Sequence, residues 1–184
     1  NVTPDSFSDG GKYLETSAAV EHGLALAEEG ADILDVGGES TRPGSQATPP
    51  EEQARRVVPV IAGLRAHTGT PISVDTTSAA VARLALAAGA QILNDVSALR
   101  DDAEMVAVAA ESRAPVVLMH MQGRPRDMQT NPQYRDVCAE VRTFLKERMD
   151  WAAEHGVSRE QMIADPGFGF GKTFDHNIEL LGGL

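Results

Sequence analysis

Ile92-Leu-Asn-Asp-Val-Ser97 is one of five short apolar runs in the chain that end in a polar or glycine-rich cluster. The other four are Ile33–Arg42, Ile72–Asp75, Val116–His120 and Met162–Gly167. Such runs are typical of buried parallel strands, and helix-patterned stretches separate them. In a (β/α)₈ barrel the carboxyl ends of all strands form one mouth, where the active site lies. The sequence therefore predicts an α/β fold of the TIM-barrel type, with a site at the mouth.

Both ends of the sequence look cut. Asn1-Val-Thr-Pro4 resembles the exit of a strand whose apolar body is missing, and Leu180–Leu184 stops in or just after a helix. Five strands and a truncated first one make six, whereas a closed barrel has eight. We therefore expect one partial domain over residues 1–184, with the barrel incomplete in this chain.

Two tetrapeptides carry a helix-capping pattern. Thr48-Pro-Pro-Glu51 and Ser158-Arg-Glu-Gln161 both match the capping-box pattern, in which a hydroxyl and an acidic or amide side chain three residues later bond each other's backbone N–H. We expect a helix to begin at the first and a turn before the strand at Met162 to begin at the second.

Composition excludes several classes of protein. Sixteen Lys and Arg against 27 Asp and Glu give a net charge of −11, which disfavours a nonspecific nucleic-acid surface. Cys138 is the only cysteine, so neither an internal disulfide nor a cysteine-built metal site can form. The sequence has no signal-peptide pattern and no apolar run of membrane-spanning length. We expect a cytoplasmic protein that binds neither nucleic acid nor membrane.

Three polar residues follow apolar runs on three different predicted strands. They are Asp75, Asn94 and Asp165. Carboxylate and amide oxygens at one mouth suit a planar heterocycle with adjacent ring N–H and amino groups, because one carboxylate can accept from two such donors. The alternative for the two aspartates is a structural one, since Asp at a strand–helix junction often caps the following helix.

Asp165-Pro-Gly-Phe-Gly-Phe-Gly-Lys172 is the most specific local string. Its glycines allow positive φ or a close backbone approach, and Phe168 and Phe170 offer flat walls. Four residues separate Gly167 from Lys172, one fewer than in the phosphate-binding loop of nucleotide hydrolases, so we reject that assignment.

The remaining candidates lie in loops and at one strand end. Arg42, in a hydroxyl- and glycine-rich loop, is the cation that we expect near an anion. His120 is more often a hydrogen-bonded structural residue than a base in such a place. A metal hydrolase built from Asp75, His120 and Asp165 is conceivable, but no known metal-binding spacing supports it.

Six motifs resemble those of the dihydropteroate synthases, in the same order and over essentially the whole chain. They are Asn1–Gly11, Asp35–Gly44, Ser73–Thr76, Asn94–Ser97, Met119–Met121 and Asp165–Lys172. The resemblance implies a pterin-binding barrel and a transferase of folate biosynthesis. Its reaction joins 6-hydroxymethyl-7,8-dihydropterin diphosphate to 4-aminobenzoate, giving 7,8-dihydropteroate and diphosphate. The family's Ser-Arg-Lys segment and late Arg-x-His motif would follow residue 184, so we expect a fragment that is inactive by itself.

Carried over position by position, the resemblance implies a role for each matching residue. Asn1 would hold a Mg²⁺ ion that also binds the diphosphate, and Thr41, Arg42, Pro43 and Phe170 would shape the aminobenzoate pocket. The residues implied around the pterin are Asp75, Asn94, Val96, Val117, Met119 and Asp165. Asp75 and Asp165 would also stabilise the cation left when the diphosphate departs.

Two alternatives remain beside this reading. A pterin-binding methyltransferase would pass the methyl group of a reduced folate to a corrinoid, and the Asn1–Gly11 and Ser40–Pro43 segments speak against it. A non-catalytic paralogue or a truncated binding module is the other. The resemblance also implies a homodimer when the protein is complete.

Overall fold

The computed structural model describes residues 1–2, 12–39 and 48–183, in which strands and helices alternate. The strands are β1 (Leu34–Gly37), β2 (Ile72–Asp75), β3 (Ile92–Asp95), β4 (Val116–Met119) and β5 (Met162–Asp165). The α-helices are α1 (Lys12–Glu28), α2 (Pro50–His67), α3 (Ala79–Ala88), α4 (Met105–Ser112), α5 (Val137–Glu154) and α6 (Phe174–Gly182). A 3₁₀ helix, Arg159–Gln161, precedes β5. The alternation predicted from the sequence is confirmed.

The chain forms two compact units, and it passes from one to the other within β3, after Asn94. In the first unit β1, β2 and β3 are parallel neighbours. Leu34, Val36, Ile72, Val74 and Leu93 are buried. They alternate with Asp35, Ser73 and Asn94, and because successive strand residues point to opposite faces, the sheet has one apolar and one polar face.

In the second unit β4 and β5 are parallel, and Val116 and Leu118 are fully buried. Helix α5 packs on α6 through Val137, Val141, Leu145 and Leu180. Val137, Val141 and Leu145 recur every four residues along α5, so one stripe of that helix is apolar. The single domain over residues 1–184 stays a prediction.

One of the two predicted capping boxes is present. The side chains of Ser158 and Gln161 bond reciprocally at the start of the 3₁₀ helix. The other is wrong, because α2 has Pro49 at its N-cap with no side-chain cap. The backbone N–H of Thr48 donates instead to a carboxylate oxygen of Glu39 at 3.0 Å, which is a contact that sequence spacing does not reveal.

The turn that follows β3 is held by a buried carboxylate. Asp95 is fully buried and accepts the backbone N–H groups of Ser97 at 2.8 Å and Leu99 at 3.0 Å. Ala98 and Leu99 have φ of 54° and 62°, a left-handed conformation that costs L-residues about 1 kcal/mol or more each. The Arg148 guanidinium donates to their carbonyl oxygens from α5. Burial raises the pKa of Asp95 to about 6, while its backbone partners oppose that rise.

We predict that Asp95→Ala destabilises the protein by about 2 kcal/mol or more, because it leaves two buried N–H groups without an acceptor. Denaturant unfolding of the full-length gene product measures the change. Asp101→Ala is the matched control, since Asp101 is exposed in the same loop, and it should change stability by less than about 0.5 kcal/mol. Equal losses in both variants would contradict the role of Asp95.

Candidate active site

Asp75 and Asn94 lie side by side at the carboxyl ends of neighbouring strands. They are register partners between β2 and β3, and both are half-buried. The backbone N–H of Thr76 donates to the carbonyl oxygen of Asn94 at 3.1 Å, which keeps the two strand ends paired. Two of the three predicted acceptors therefore share one edge and one face of the sheet.

The helix-capping alternative is wrong for both aspartates. Helix α3 has Ser78, not Asp75, at its N-cap, and the backbone N–H of Ser78 donates to Thr76 Oγ1 at 3.1 Å. Helix α6 is capped by Thr173, whose hydroxyl accepts from the backbone N–H of His176. Neither aspartate is held in place as the cap of the helix that follows it.

Asp35 is a site residue that the sequence analysis missed. Its carboxylate accepts from the Asn94 amide nitrogen, with distances of 3.4 Å to Oδ1 and 3.3 Å to Oδ2. The Ser73 hydroxyl, which is buried, also donates to Asp35 Oδ1. The sequence did contain a signal for this contact. Asp35 and Ser73 alternate with apolar residues in their strands, which places both side chains on the face opposite the apolar one.

Asn1 and Asp75 bring two oxygen atoms over Gly37. A Cβ at Gly37 would lie 2.9 Å from Asn1 Oδ1 and 3.3 Å from Asp75 Oδ2, so only glycine leaves room for both oxygens. The backbone N–H of Val2 donates to the Gly37 carbonyl oxygen at 2.7 Å, which fixes the segment that carries Asn1. Amide and carboxylate oxygens are hard ligands of the kind that Mg²⁺ takes, together with water and phosphate oxygens.

A buried glutamine connects the exits of β1 and β2. Gln53 Nε2 donates to Glu39 at 3.0 Å and Gln53 Oε1 accepts from Thr76 at 3.1 Å, with Gln53 and Thr76 both buried. Because Glu39 also accepts from Thr48, it links the residue just before segment 40–47 to the residue just after it. The predicted aminobenzoate residues Thr41, Arg42 and Pro43 belong to that segment and lie outside the described residues.

In the second unit Asp165 lies beside Met119. The two residues are register partners, and the backbone N–H of His120 donates to the Asp165 carbonyl oxygen at 2.9 Å. Asp165 Oδ1 accepts the backbone N–H of Gly167 at 2.7 Å, which fixes the orientation of the carboxylate. Val117 is two register pairs before Met119 and therefore, by alternation, on the same face.

Val96, Met119 and Phe170 lie together in the second unit. Val96 and Met119 are buried in one apolar cluster, and half-buried Phe170 packs against it. Met121 and Met128 complete the cluster, and the sequence analysis did not single them out. Methionine side chains adapt to irregular gaps, which suits the wall of a pocket for a flat ring.

Lys172 is an internal donor that organises the loop after β5. Its ammonium is buried and contacts His120 Nδ1 at 3.0 Å, together with the carbonyl oxygens of Gly167 at 2.8 Å and Phe170 at 3.1 Å. Burial lowers its pKa to about 8. These contacts join both ends of the loop that carries Phe170, so Lys172 has a structural role. Because its ammonium is already bound by groups of the protein, the structure gives no support to a phosphate-binding loop.

Glycine is required twice in this loop. Gly167 and Gly171 have φ of 67° and 60°. A Cβ at Gly167 would overlap the carbonyl oxygen of His120, and one at Gly171 would overlap that of Gln122. Both the left-handed conformation and the close approach to the loop after β4 therefore exclude larger residues.

His120 is held as a structural residue. Burial, and after it the charge of Lys172, lowers its pKa to about 4, so the neutral ring accepts from the Lys172 ammonium. The Phe144 ring packs edge-on against it, with centroids 4.9 Å apart. This arrangement fits the structural interpretation of His120 and gives no support to a metal hydrolase.

Comparison with known proteins identifies the family. A family model described as pterin binding enzyme matches residues 1–184. The chain belongs to this family. The dihydropteroate synthase of Synechocystis is 46% identical over 181 residues, which are 98% of this chain and 63% of that protein. The chain thus spans less than two thirds of the length of this relative.

Solved structures of the same family show the same fold. Xanthomonas albilineans dihydropteroate synthase with 4-aminobenzoic acid matches with a TM-score of 0.91 and 55% identity, over 99% of this chain and 64% of that one. The same enzyme in complex with 7,8-dihydropteroate matches with a TM-score of 0.86 and 50% identity, over 99% and 63%. The predicted fold class, a TIM-type barrel that is incomplete in this chain, is confirmed by this likeness.

The predicted site residues fall into two groups. Asn1, Asp75 and Asn94 lie in the first unit, and Val96, Val117, Met119, Asp165 and Phe170 in the second. Convergence of the two groups at one mouth stays a prediction. Among the described helices, none is both long and apolar enough to cross a membrane.

We predict that acid weakens the protein in part through His120. A pKa near 4 in the fold, against about 6.5 when unfolded, means that the unfolded chain takes up the proton first as the pH falls. The contribution is absent at pH 7 and grows to a loss of about 2 to 3 kcal/mol near pH 4.5. His120→Asn keeps an acceptor for Lys172 but does not titrate in this range.

The measurement is the free energy of unfolding of both proteins between pH 7 and 4.5. The wild type should lose more stability over this range than His120→Asn, whatever the difference between them at pH 7. Parallel curves would show that His120 is not held neutral by its surroundings. His67→Asn, at an exposed position on α2, should follow the wild-type slope.

Proposed function

We propose that the full-length protein carrying this chain is a dihydropteroate synthase. It would condense 6-hydroxymethyl-7,8-dihydropterin diphosphate with 4-aminobenzoate to give 7,8-dihydropteroate and diphosphate. The observation that carries the proposal is the set of acceptor side chains at strand ends, in a chain 50 to 55% identical to an enzyme solved with 4-aminobenzoic acid and with 7,8-dihydropteroate.

Recognition of the pterin would rest on Asp75, Asn94 and Asp165. The donors of a pterin edge need acceptors, and carboxylates accept from charged or neutral N–H groups without a competing donor. Val96, Val117 and Met119 would pack on the ring faces. Ligand pockets are lined mainly by apolar side chains of this kind, while a few polar groups fix the orientation of the ligand. Register pairing already orders Asp75 with Asn94 and Met119 with Asp165.

The two carboxylates would also lower the barrier. If the bond from the pterin methylene carbon to the diphosphate breaks first, positive charge develops on the ring system. Fixed negative charge at Asp75 and Asp165 stabilises that charge more than it stabilises the neutral substrate, which is what speeds a reaction. Asp165 is held for this task by the Gly167 N–H, at 2.7 Å, so little reorganisation is needed.

Aminobenzoate would bind on the Phe170 side of the cluster that also contains Val96 and Met119. Arg42 would supply a cation for the carboxylate, with Thr41 and Pro43 beside it. The Glu39 carboxylate, which bonds Gln53 and Thr48, would anchor the segment that carries these three residues.

Mg²⁺ is proposed as the metal, with Asn1 Oδ1 as a ligand. The oxygen atoms of Asn1 and Asp75 over Gly37 fit this ion, because Mg²⁺ uses few protein ligands and fills its shell with water and phosphate oxygens. When bound, the ion would neutralise charge on the leaving diphosphate. The proposal extends to a homodimer in the cytoplasm, which light scattering and cell fractionation would test.

The activity assay tests the proposal directly. The purified full-length protein is given the dihydropterin diphosphate with Mg²⁺, and diphosphate release and dihydropteroate formation are measured with and without 4-aminobenzoate. Release that requires aminobenzoate supports a synthase. Methyl transfer from a methylated reduced folate to a corrinoid, without aminobenzoate-dependent release, would favour the methyltransferase, and no turnover of either kind would favour a non-catalytic paralogue.

We predict that Asp165→Asn weakens pterin binding by about 2 kcal/mol or more. The Asn oxygen can still accept from the Gly167 N–H, so the turn is kept, but the amide nitrogen then presents a donor to the donors of the pterin. Calorimetric titration with a pterin measures the loss. Asp175→Asn, exposed on α6, is the control, and an Asp165→Asn protein with wild-type affinity would show that Asp165 serves the turn alone.

We predict that Asn1→Ala raises the Mg²⁺ concentration needed for half-maximal activity by about tenfold, because one hard oxygen ligand is lost. Activity is measured against Mg²⁺ concentration at saturating substrates. Gln91→Ala, at an exposed position just before β3, is the control. An unchanged Mg²⁺ requirement would remove Asn1 from the metal site.

A further inference from the structure

The amide of Asn94 can serve as an acceptor in only one of its two orientations. Its oxygen and nitrogen are nearly equal in size, so packing alone does not distinguish one orientation from the one turned by 180°. With the nitrogen facing a pterin N–H, the residue would repel what it is proposed to bind. Some neighbouring group must therefore select the orientation.

The group in contact with the amide is the Asp35 carboxylate, which lies on the same face two register positions before the level of Asn94. Asn94 approaches both of its oxygens, at 3.4 and 3.3 Å. An ionised carboxylate accepts hydrogen bonds and donates none, so the amide corner facing Asp35 has to be the NH₂ group. The oxygen, at the other corner of the amide, is then turned away from Asp35.

The Asp35 carboxylate is itself held. It receives the hydroxyl of Ser73, its register partner on β2, and Ser73 is only 4% exposed. Asp35, Ser73 and Asn94 thus form a chain of hydrogen bonds across three strands, on the polar face of the first unit. A hydrogen-bonded chain of this kind restricts side-chain rotation at each of its members.

We propose that Asp35 is a positioning residue that fixes the amide of Asn94 with its oxygen available to the donors of the pterin. Asp35 acts through Asn94 and does not itself contact the substrate. Ser73 supports Asp35 in the same way. This inference rests on the proposed function, because it needs a pterin whose donors meet Asn94.

Exchange of the two side chains tests the inference. In the full-length protein, Asp35→Asn allows the Asn94 amide to turn and should weaken binding of a dihydropterin about tenfold. Asn94→Asp places two carboxylates together and should weaken it at least as much. The double variant Asp35→Asn with Asn94→Asp restores one donor and one acceptor between the two positions, and it should recover most of the lost affinity.

The readouts separate positioning from general damage. Pterin affinity is measured by calorimetry, KM for 4-aminobenzoate by kinetics at saturating pterin, and the midpoint of thermal unfolding for every variant. We expect pterin affinity to fall while KM for aminobenzoate changes less than about twofold, as a defect confined to one residue predicts. Asp32→Asn, exposed just before the same strand, should bind as the wild type does.

Asp35→Asn with wild-type affinity, or a double variant no better than the weaker single variant, would overturn the inference. If Asp35→Asn does not fold, Ser73→Ala provides the same test, with an expected loss of about threefold. Loss of pterin affinity only in proportion to loss of thermal stability would also overturn it. If the wild-type protein binds no pterin, the proposed function itself is rejected. If the wild type binds pterin and Asp35→Asn binds it equally well, only the positioning role of Asp35 is rejected.

Discussion

Alternation along short parallel strands is the constraint on which the described structure depends. Leu34 and Val36, Ile72 and Val74, and Leu93 point to the buried face, so Asp35, Ser73 and Asn94 have to point to the other. Polar groups on that face cannot all be donors or all be acceptors. The hydroxyl of Ser73 and the amide of Asn94 supply the donors that the carboxylate of Asp35 requires, and register pairing brings the three together.

The second unit uses a buried cation in place of a polar sheet face. Lys172 contacts carbonyl oxygens and the neutral ring of His120, and burial lowers the pKa of both side chains. Removal of charge from water is costly, so such an ammonium is retained only where several acceptors surround it. The buried ammonium fixes the loop after β5 relative to β4 and β5. Phe170 and the Gly167 N–H, which binds the Asp165 carboxylate, are therefore held in place.

Local signals in the sequence were sufficient to predict the strands, the polar residues at their ends and one helix cap. The apolar runs located the five strands of the described residues, and the polar residues at their ends located Asp75, Asn94 and Asp165. The Ser158 capping box was also found, since it depends on residues three positions apart. The glycines at 167 and 171 were assigned a close approach or a positive φ, and the structure has both.

The sequence by itself thus determined the fold class, the strand positions and the acceptors, because strand and cap patterns arise between neighbours in the chain. Only the tertiary structure decided which partners those residues take. Asp35 meets Asn94 across 59 positions, Lys172 meets His120 across 52, and Thr48 gives its N–H to Glu39 instead of capping α2. Spacing carries no record of such contacts, since they depend on register and packing that form only when distant segments fold together.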